Sequence, residues 1–270
     1  SAKVVPSYEY SVFMESLRSL AINLRYSDSD RSVKSIAFTS AIPSEGKSTL
    51  IYHLGCVLAE LEQNVLLVDA DLRRPTIHKL ASLQNSSGLS TAIATNRDWR
   101  DLLQTVGLHN SLDILTSGPI PPNPLVLLES AKMTNLMQAW QQTYDYVLID
   151  TPPIVGITDA QSLAAKVDTV VVVAAMHRST RSAIARTLEI LASRHAHIAG
   201  ILANMLARRD SNEYYTDYQS YYSETDLLQV AVADAEPSIE VLESDTATAV
   251  LAEAPVETQL EDEASSSRQD

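Results

Sequence analysis

The chain has 270 residues, of which 45% are hydrophobic and 20% charged, and its formal net charge is −14. This length and composition predict a globular protein of one or two domains, and no apolar run approaches the ~18 residues needed to span a bilayer. The one cysteine, Cys56, excludes an intrachain disulfide and argues against a zinc site, because no cysteine or histidine cluster accompanies it.

The negative charge is concentrated at the C-terminal end. Residues 223–270 hold 13 Asp and Glu against one Arg, whereas residues 1–222 hold 21 acids and 19 bases. Phosphate neutralisation needs clustered Lys and Arg, so nucleic acid is not expected as a partner. No aromatic residue follows Tyr222, which is typical of a disordered extension. We expect a folded domain over 1–206, a tyrosine cluster over 207–222 and a disordered acidic tail over 223–270.

Strand and helix patterns alternate along the body of the chain. Helical spacing of apolar residues predicts a leading helix over 9–26. The sequence predicts a first strand at 33–40 and an apolar strand at 64–69, and runs without polar alternation predict buried strands at 112–115, 146–150, 169–174 and 198–204. Further helices are expected at 48–61, 132–142, 160–166 and 180–194. The pattern indicates an α/β protein with a doubly wound, mostly parallel sheet covered on both faces.

A candidate phosphate-binding loop follows the first strand. Gly46-Lys47-Ser48 lies between that strand and a helix, which is the context that such a loop requires. Backbone N–H groups of the loop would face a nucleotide triphosphate, with Lys47 at its β/γ-phosphates and the Ser48 hydroxyl on Mg²⁺. Because Ala41 stands where the general motif has its first glycine, a plain turn is the alternative interpretation.

Three acids end two of the predicted buried strands. Asp69 and Asp71 follow the strand at 64–69, and Asp150 ends the strand at 146–150. Alternation in an extended chain directs Asp69 and Asp71 the same way, beyond the carboxyl end of the sheet where ligands bind. Asp is also common where strands end in turns. Together with Lys47, the acids are a sufficient set for phosphoryl transfer.

Tyrosines cluster just after the last predicted strand. Five of them lie within nine positions, at Tyr214, Tyr215, Tyr218, Tyr221 and Tyr222. Their spacing and polar neighbours make burial in a core a poor explanation. Two interpretations stay open, a partner-binding strip and a set of phosphate acceptors.

At this point nearly all of residues 1–222 resembles the bacterial tyrosine kinases, often called BY-kinases. The segment 40–48 is similar to that family's variant Walker A motif, 67–73 to its Walker A′ motif and 149–153 to its Walker B motif. Segment 117–124 resembles the family's linker before a short helix, and the tyrosine cluster takes the place of its autophosphorylated tail. The resemblance implies a MinD/ParA-like P-loop NTPase fold and an ATP-dependent protein-tyrosine kinase.

The resemblance also implies roles for individual residues. MgATP would bind through Ser44, Glu45, Gly46, Lys47, Ser48 and Thr49, with Asn204 at the adenine. Ser48, Asp71 and Asp150 would hold Mg²⁺. Asp69 would orient the tyrosine hydroxyl and take its proton, although Asp69 and Asp71 are interchangeable at this stage. Lys47, Asp69, Asp71 and Asp150 are thus the predicted catalytic residues.

The family's setting is a cytoplasmic domain at the inner face of the cell membrane, attached to or activated by a transmembrane partner. The resemblance implies control of exopolysaccharide synthesis and export, opposed by a tyrosine phosphatase. It also implies a ring-like homo-oligomer with transfer between neighbouring subunits.

Two departures from the family's pattern matter. Ser44 replaces a loop glycine, and we expect activity to survive because every backbone N–H is kept. Glu15 and Arg18 match the family's oligomerisation pattern, but Ala21 replaces its second arginine, which weakens the expected ring. Three-residue steps along the leading helix drift slowly across one face, so we expect residues 15, 18 and 21 to be presented together to a neighbouring subunit.

Two other classes of protein share this loop. One is a partitioning or septum-positioning ATPase switch of the MinD/ParA type, which carries an extra Lys where this chain has Ile42. The other is a nucleotide-gated scaffold that does not turn over its nucleotide, since binding and catalysis use the same loop.

Overall fold

A computed structural model describes residues 7–26, 33–106 and 112–205, together with the pairs 239–240 and 251–252. The tyrosine cluster at 207–222, and all of the acidic tail except those two pairs, lie outside the described residues. The predicted domain end at residue 206 does so as well.

Within the described residues, seven strands form one sheet. They are β1 (Ser35–Ser40), β2 (Val65–Asp69), β3 (Gln104–Thr105), β4 (Leu112–Leu115), β5 (Tyr146–Asp150), β6 (Thr169–Ala175) and β7 (Ile198–Asn204). Their spatial order is β3-β4-β2-β5-β1-β6-β7, and only the β3–β4 pair is antiparallel. The predicted doubly wound, mostly parallel sheet is therefore confirmed.

Helices connect these strands across both faces of the sheet. The described helices are α1 (Ser7–Tyr26), α2 (Lys47–Glu60), α3 (Ile77–Leu80), α4 (Leu89–Ala94), α5 (Pro124–Glu129), α6 (Ala131–Thr143), α7 (Thr158–Ala164) and α8 (Arg181–Ser193), with one 3₁₀ turn at Trp99–Leu102. Several carry an N-cap: Asn123, Ser130 and Thr180 each accept a bond from a backbone N–H of the first turn, before α5, α6 and α8 respectively. Every strand and long helix predicted from the sequence is present, whereas β3, α3, α4 and the 3₁₀ turn were not predicted.

The core lies in two layers, one on each side of the sheet. Helices α1, α2 and α3 pack on one side, where Leu17 and Leu54 are buried. Helices α4 to α8 pack on the other, where Trp140 and Leu191 are fully buried. Strands β1, β2, β5 and β6 are consequently buried along their whole length and form a rigid platform for the loops at their carboxyl ends.

The prediction that strand 198–204 is buried like the others was wrong. Among the described strands, β7 is the last of the sheet and pairs with β6 alone, and Ile201 at its centre is 49% exposed. The physical reason is position: the described helices cover the centre of the sheet and leave this edge open. An unbroken apolar sequence does not distinguish a central strand from an edge strand.

The expected surface of α1 is only partly present. Arg18 is exposed and forms an ion pair of 3.3 Å with the half-buried Glu15, and Arg18 also lies 3.7 Å from Glu60 of α2. Ala21, by contrast, is 2% exposed and belongs to the core layer under α1. The prediction that residue 21 lies on one face with Glu15 and Arg18 was therefore wrong. The structure consequently gives no support to the expectation that Ala21 weakens a ring.

In the C-terminal tail, β8 (Ile239–Glu240) pairs antiparallel with β9 (Leu251–Ala252). None of the described helices is both long enough and apolar enough to cross a membrane.

Candidate active site

The carboxyl ends of β1, β2 and β5 meet at one edge of the sheet. Asp69 at the end of β2 lies in register with Asp150 at the end of β5, and Phe38 of β1 pairs with Asp150 on the other side. The β1–α2 loop leaves from the same edge and enters α2 at Lys47. The parallel sheet thus brings the predicted loop and the acids together from distant parts of the sequence.

Two residues of the β1–α2 loop have left-handed backbone conformations. Gly46 has φ 78° and Ser44 has φ 62°. A Cβ atom at residue 46 would lie 2.3 Å from Nδ2 of Asn204, so glycine permits β7 to approach the loop. Ser44 adopts this conformation without being glycine, at a cost of roughly 1–2 kcal/mol.

Lys47, Ser48 and Asp150 form a compact cluster at the start of α2. The Lys47 Nζ lies 2.9 Å from Oδ1 of Asp150 and donates to the Ser48 hydroxyl at 3.3 Å. The Ser48 hydroxyl donates to Oδ2 of Asp150 at 2.6 Å. Burial raises the pKa of Asp150, while the Lys47 charge and the bonds from Ser48 and Lys47 lower it. The cluster offers a cation and hard oxygen atoms at the base of the loop.

Asp69 is fully buried beside this cluster. Its Oδ2 accepts hydrogen bonds from the backbone N–H groups of Thr76 at 3.2 Å and Ile77 at 3.1 Å. Its Oδ1 has no hydrogen-bond partner among the residues that the structure describes. Burial, and then repulsion from Asp150, hold the pKa of Asp69 well above its usual range. When ionised, such a carboxylate is a stronger base than a solvated one.

Asp71 is also buried, and it organises the loop that follows β2. Its Oδ1 accepts from the backbone N–H groups of Arg73 at 3.2 Å and Arg74 at 2.9 Å. The Arg73 side chain in turn forms an ion pair with Asp159 of α7. The structure thus brings all four predicted catalytic residues to one edge of the sheet.

Glu45 and Asn204 hold the loop in place. The Glu45 side chain is buried, and its carboxylate accepts from the backbone N–H of Ile42 at 2.8 Å, from the backbone N–H of Ala175 at 3.3 Å and from the Ser179 hydroxyl. The Asn204 amide donates to the Glu45 carbonyl oxygen at 2.9 Å. Glu45 therefore tethers the loop to the end of β6, and only its backbone is placed to face a nucleotide. The adenine contact of Asn204 stays a prediction.

The segment after β6 also supports the loop, a contribution that no sequence motif predicts. Besides the Ser179 contact, the Arg178 guanidinium donates to the Ser44 carbonyl oxygen at 3.0 Å, across the strained part of the loop. The position of these residues just after a buried parallel strand was the one available signal. Thr49 lies half-buried in the first turn of α2, where its backbone continues the loop.

The donor set fits Mg²⁺ brought in with a nucleotide. The described residues contain no group of three or more His, Cys, Asp or Glu side chains arranged to hold a metal. Mg²⁺ is usually held by only one or two protein oxygen ligands together with phosphates and water. The Ser48 hydroxyl and the Asp150 carboxylate are hard oxygen donors in direct contact. The ligand role of Asp71 stays a prediction.

Comparison with known proteins identifies the family. A family model described as "ParA: NUBPL iron-transfer P-loop NTPase" matches residues 33–265. The tyrosine-protein kinase YwqD of Bacillus subtilis (strain 168) is 37% identical over 207 residues, which cover 76% of this chain and 87% of YwqD. The tyrosine-protein kinase etk of Escherichia coli (strain K12) is 31% identical over 201 residues, 74% of this chain but 28% of etk.

Solved structures agree with these relatives. The chimerical protein CapA2B2 has a TM-score of 0.68 at 33% identity, covering 72% of this chain and 85% of that one. The kinase domain of Escherichia coli ETK has a TM-score of 0.70 at 31% identity, with 73% and 76% covered. MinD of Pyrococcus horikoshii OT3, at 21% identity and a TM-score of 0.56 over 65% of this chain and 71% of MinD, shows the shared fold alone. The chain belongs to the bacterial tyrosine-kinase family, built on the ParA/MinD-like P-loop NTPase fold.

Proposed function

We propose that this chain is an ATP-dependent protein-tyrosine kinase that phosphorylates its own C-terminal tyrosine cluster. The observation that carries the proposal is the Lys47–Ser48–Asp150 cluster, in which Lys47 and Asp150 are buried, set beside Asp69 and Asp71 at one edge of the sheet. Kinship with proteins named tyrosine-protein kinases supports a tyrosine hydroxyl, rather than water, as the acceptor.

The nucleotide phosphates bind on the β1–α2 loop. Backbone N–H groups between residues 44 and 49 face the phosphates, and Lys47 moves from its pair with Asp150 to the β/γ-phosphate oxygens. Ser48 and Asp150 hold Mg²⁺, with Asp71 as a further or water-mediated ligand. When bound, Mg²⁺ neutralises the negative charge that develops on the phosphates. Asn204 contacts the adenine from the end of β7.

Asp69 is the residue that orients the acceptor. The tyrosine oxygen forms a bond to the γ-phosphorus, the bond between that phosphorus and the β–γ bridging oxygen breaks, and ADP leaves with the electron pair. The phenolic proton passes to the Asp69 carboxylate. A tyrosine hydroxyl has a pKa near 10 and is protonated at neutral pH, so a carboxylate with a raised pKa suits this step. Because the transition state is loose, positioning of the hydroxyl matters more than early proton removal.

The tail is within reach of the site. β7 ends at Asn204 on the same edge of the sheet, and Tyr214 follows ten residues later, at most ~35 Å along an extended chain. This span permits transfer within the chain or to a neighbouring subunit, and the Glu15–Arg18 pair on α1 supplies charged groups for a contact with a neighbour. Each phosphate adds about −1.5 to −2 charge to an acidic tail and favours its release from an acidic neighbour.

The cellular role follows by analogy with the family. The chain works at the cytoplasmic face of the membrane through a transmembrane activator, regulates exopolysaccharide synthesis and export, and is reversed by a tyrosine phosphatase. The small share of etk that this chain covers is consistent with a kinase domain that acts alongside other segments.

Intact mass after incubation with MgATP tests the enzymatic proposal. We expect mass increases in steps of one phosphate, which phosphatase treatment removes, and a Lys47→Met variant is the matched control. ATP hydrolysis without any mass gain would instead favour the MinD/ParA-type switch, and neither hydrolysis nor mass gain would favour a scaffold.

A further inference from the structure

Arg73 and Asp159 form an ion pair that links two motif-bearing segments. The Arg73 Nε lies 2.6 Å from Oδ2 of Asp159, and Nη2 lies 3.0 Å from Oδ1, so the contact is bidentate. The Asp159 side chain is 1% exposed, whereas that of Arg73 is 46% exposed. A buried carboxylate needs its partner, and the planar guanidinium fork matches it in a way that a lysine does not.

The pair is directly connected to Asp71. The backbone N–H of Arg73 donates to Oδ1 of Asp71, and the next residue, Arg74, donates to the same oxygen. Asp159 lies in the first turn of α7, the helix that follows β5 and its terminal Asp150. One contact therefore fixes the loop that carries Asp71 relative to the segment that follows Asp150.

We propose that Arg73 and Asp159 are positioning residues, which hold Asp71 at the metal-binding edge and so set the Mg²⁺ requirement of the site. This inference rests on the proposed function, because it assigns Mg²⁺ to that edge. The pair does not touch the reacting atoms. Without it, the loop from 70 to 76 relaxes, and a displacement of about 1 Å at a catalytic group lowers turnover by as much as a hundredfold.

A double-mutant cycle tests the inference on the full chain. The variants are Asp159→Asn, Arg73→Gln and the two combined. The matched control is Arg186→Gln, because Arg186 forms an exposed ion pair with Glu189 on α8. Arg73→Gln leaves a buried carboxylate unpaired and lowers stability. The double variant contains no unpaired charge and keeps the test available if that single variant unfolds.

The readouts are ADP release as a function of Mg²⁺ concentration, Mg²⁺-dependent binding of a fluorescent ATP analogue, and the unfolding midpoint. We expect the Mg²⁺ concentration for half-maximal effect to rise about 10- to 100-fold in all three variants. In the double variant this Mg²⁺ concentration rises no more than in the more affected single variant, because both residues act through one contact. Arg186→Gln matches the wild type.

Two results would overturn the inference. An unchanged Mg²⁺ midpoint, with turnover falling only in step with the folded fraction, would make the pair merely structural. The second result is a loss of nucleotide binding that is much greater for Arg73→Gln than for Asp159→Asn, with the two losses multiplying in the double variant. It would mean that Arg73 contacts the nucleotide directly. A wild-type chain that releases ADP without labelling tyrosine would contradict the kinase proposal alone, since the Mg²⁺ measurement does not depend on the acceptor.

Discussion

The buried Asp69 carboxylate is expected to lower the stability of the folded protein, and the isosteric change Asp69→Asn tests this. The amide oxygen of asparagine can still accept the backbone N–H bonds from Thr76 and Ile77. The change removes a negative charge that burial and the neighbouring Asp150 both disfavour. It also removes the proposed base, so the variant should be more stable and slower in phosphoryl transfer.

The size of the effect follows from the environment of Asp69. Only the charge differs between the two side chains, because Nδ2 of asparagine takes the place of Oδ1, which has no hydrogen-bond partner among the described residues. Each unit by which the folded-state pKa of Asp69 lies above its unfolded value corresponds to about 1.4 kcal/mol of stability lost by the ionised form. We therefore expect the free energy of unfolding to rise by at least about 1 kcal/mol at alkaline pH. In a domain of this size each kcal/mol raises Tm by about 2–4 °C.

The raised pKa of Asp69 also determines how the stability difference between the two proteins varies with pH. Because the folded-state pKa of Asp69 is raised, the native state binds a proton more readily than the unfolded chain does. The cost of the wild-type carboxylate is present above the folded-state pKa and disappears as pH falls through it toward the unfolded value near 3.9. The stability gain of Asp69→Asn should therefore be largest at alkaline pH and shrink on acidification.

Urea unfolding of both proteins at several pH values measures this difference. Asp168→Asn is the matched control, because Oδ2 of Asp168 accepts bonds from Lys34, Ser35 and Gln141 at the opposite end of the sheet. That variant should be destabilised. A loss of stability for Asp69→Asn at alkaline pH, or a gain that grows on acidification, would refute the reasoning.

Three further predictions concern the loop and the tail. Lys47→Met should abolish phosphate incorporation from γ-labelled ATP and lower the unfolding midpoint at alkaline pH, because Asp150 is left buried with Ser48; labelling at the wild-type rate would contradict the loop assignment. Ser44→Gly should keep activity and raise the free energy of unfolding by up to about 1 kcal/mol, because relief of roughly 1–2 kcal/mol of left-handed strain is partly offset by the greater unfolded-state entropy of glycine, about 0.4–1 kcal/mol. A loss of stability in urea unfolding would show that Ser44 is unstrained. Changing the five clustered tyrosines together to phenylalanine should remove most self-labelling and leave the ATP affinity, measured by titration, nearly unchanged. The positions are Tyr214, Tyr215, Tyr218, Tyr221 and Tyr222. Unchanged labelling would mean that the acceptors lie elsewhere.

Local sequence was sufficient for the long elements and for the centre of the site. Buried parallel strands are continuous apolar runs, and their carboxyl ends must share one edge, so the sequence alone predicts that Asp69 and Asp150 lie near Lys47. The register of β2 against β5 places the two acids opposite each other. Short elements such as α3 and α4, of four and six residues, have too few turns to produce a periodic pattern.

Helix phase explains the error at Ala21. Residues in an α-helix are about 100° apart, so residue 21 lies about 120° from residue 15 around the axis. The same spacing puts it within about 60° of Leu17 and Leu24, which are both buried. Each three-residue step falls about 60° short of a full turn, so two steps place residue 21 about 120° from residue 15. Ala21 therefore lies on the buried face of α1.

Long-range tethers were beyond sequence reasoning because they join segments with no shared pattern. Glu45 bonds to residues 130 or more positions away, and Arg73 bonds to Asp159 across 86 positions. Two such tethers, made by Arg178 and Arg73, compensate local features that are unfavourable alone. The Arg178 bond supports the strained Ser44, and Arg73 satisfies a carboxylate that would otherwise be buried unpaired. Such unfavourable groups persist at a site only when the surrounding structure holds them in place, so these tethers are where substitution should alter activity without touching the nucleotide.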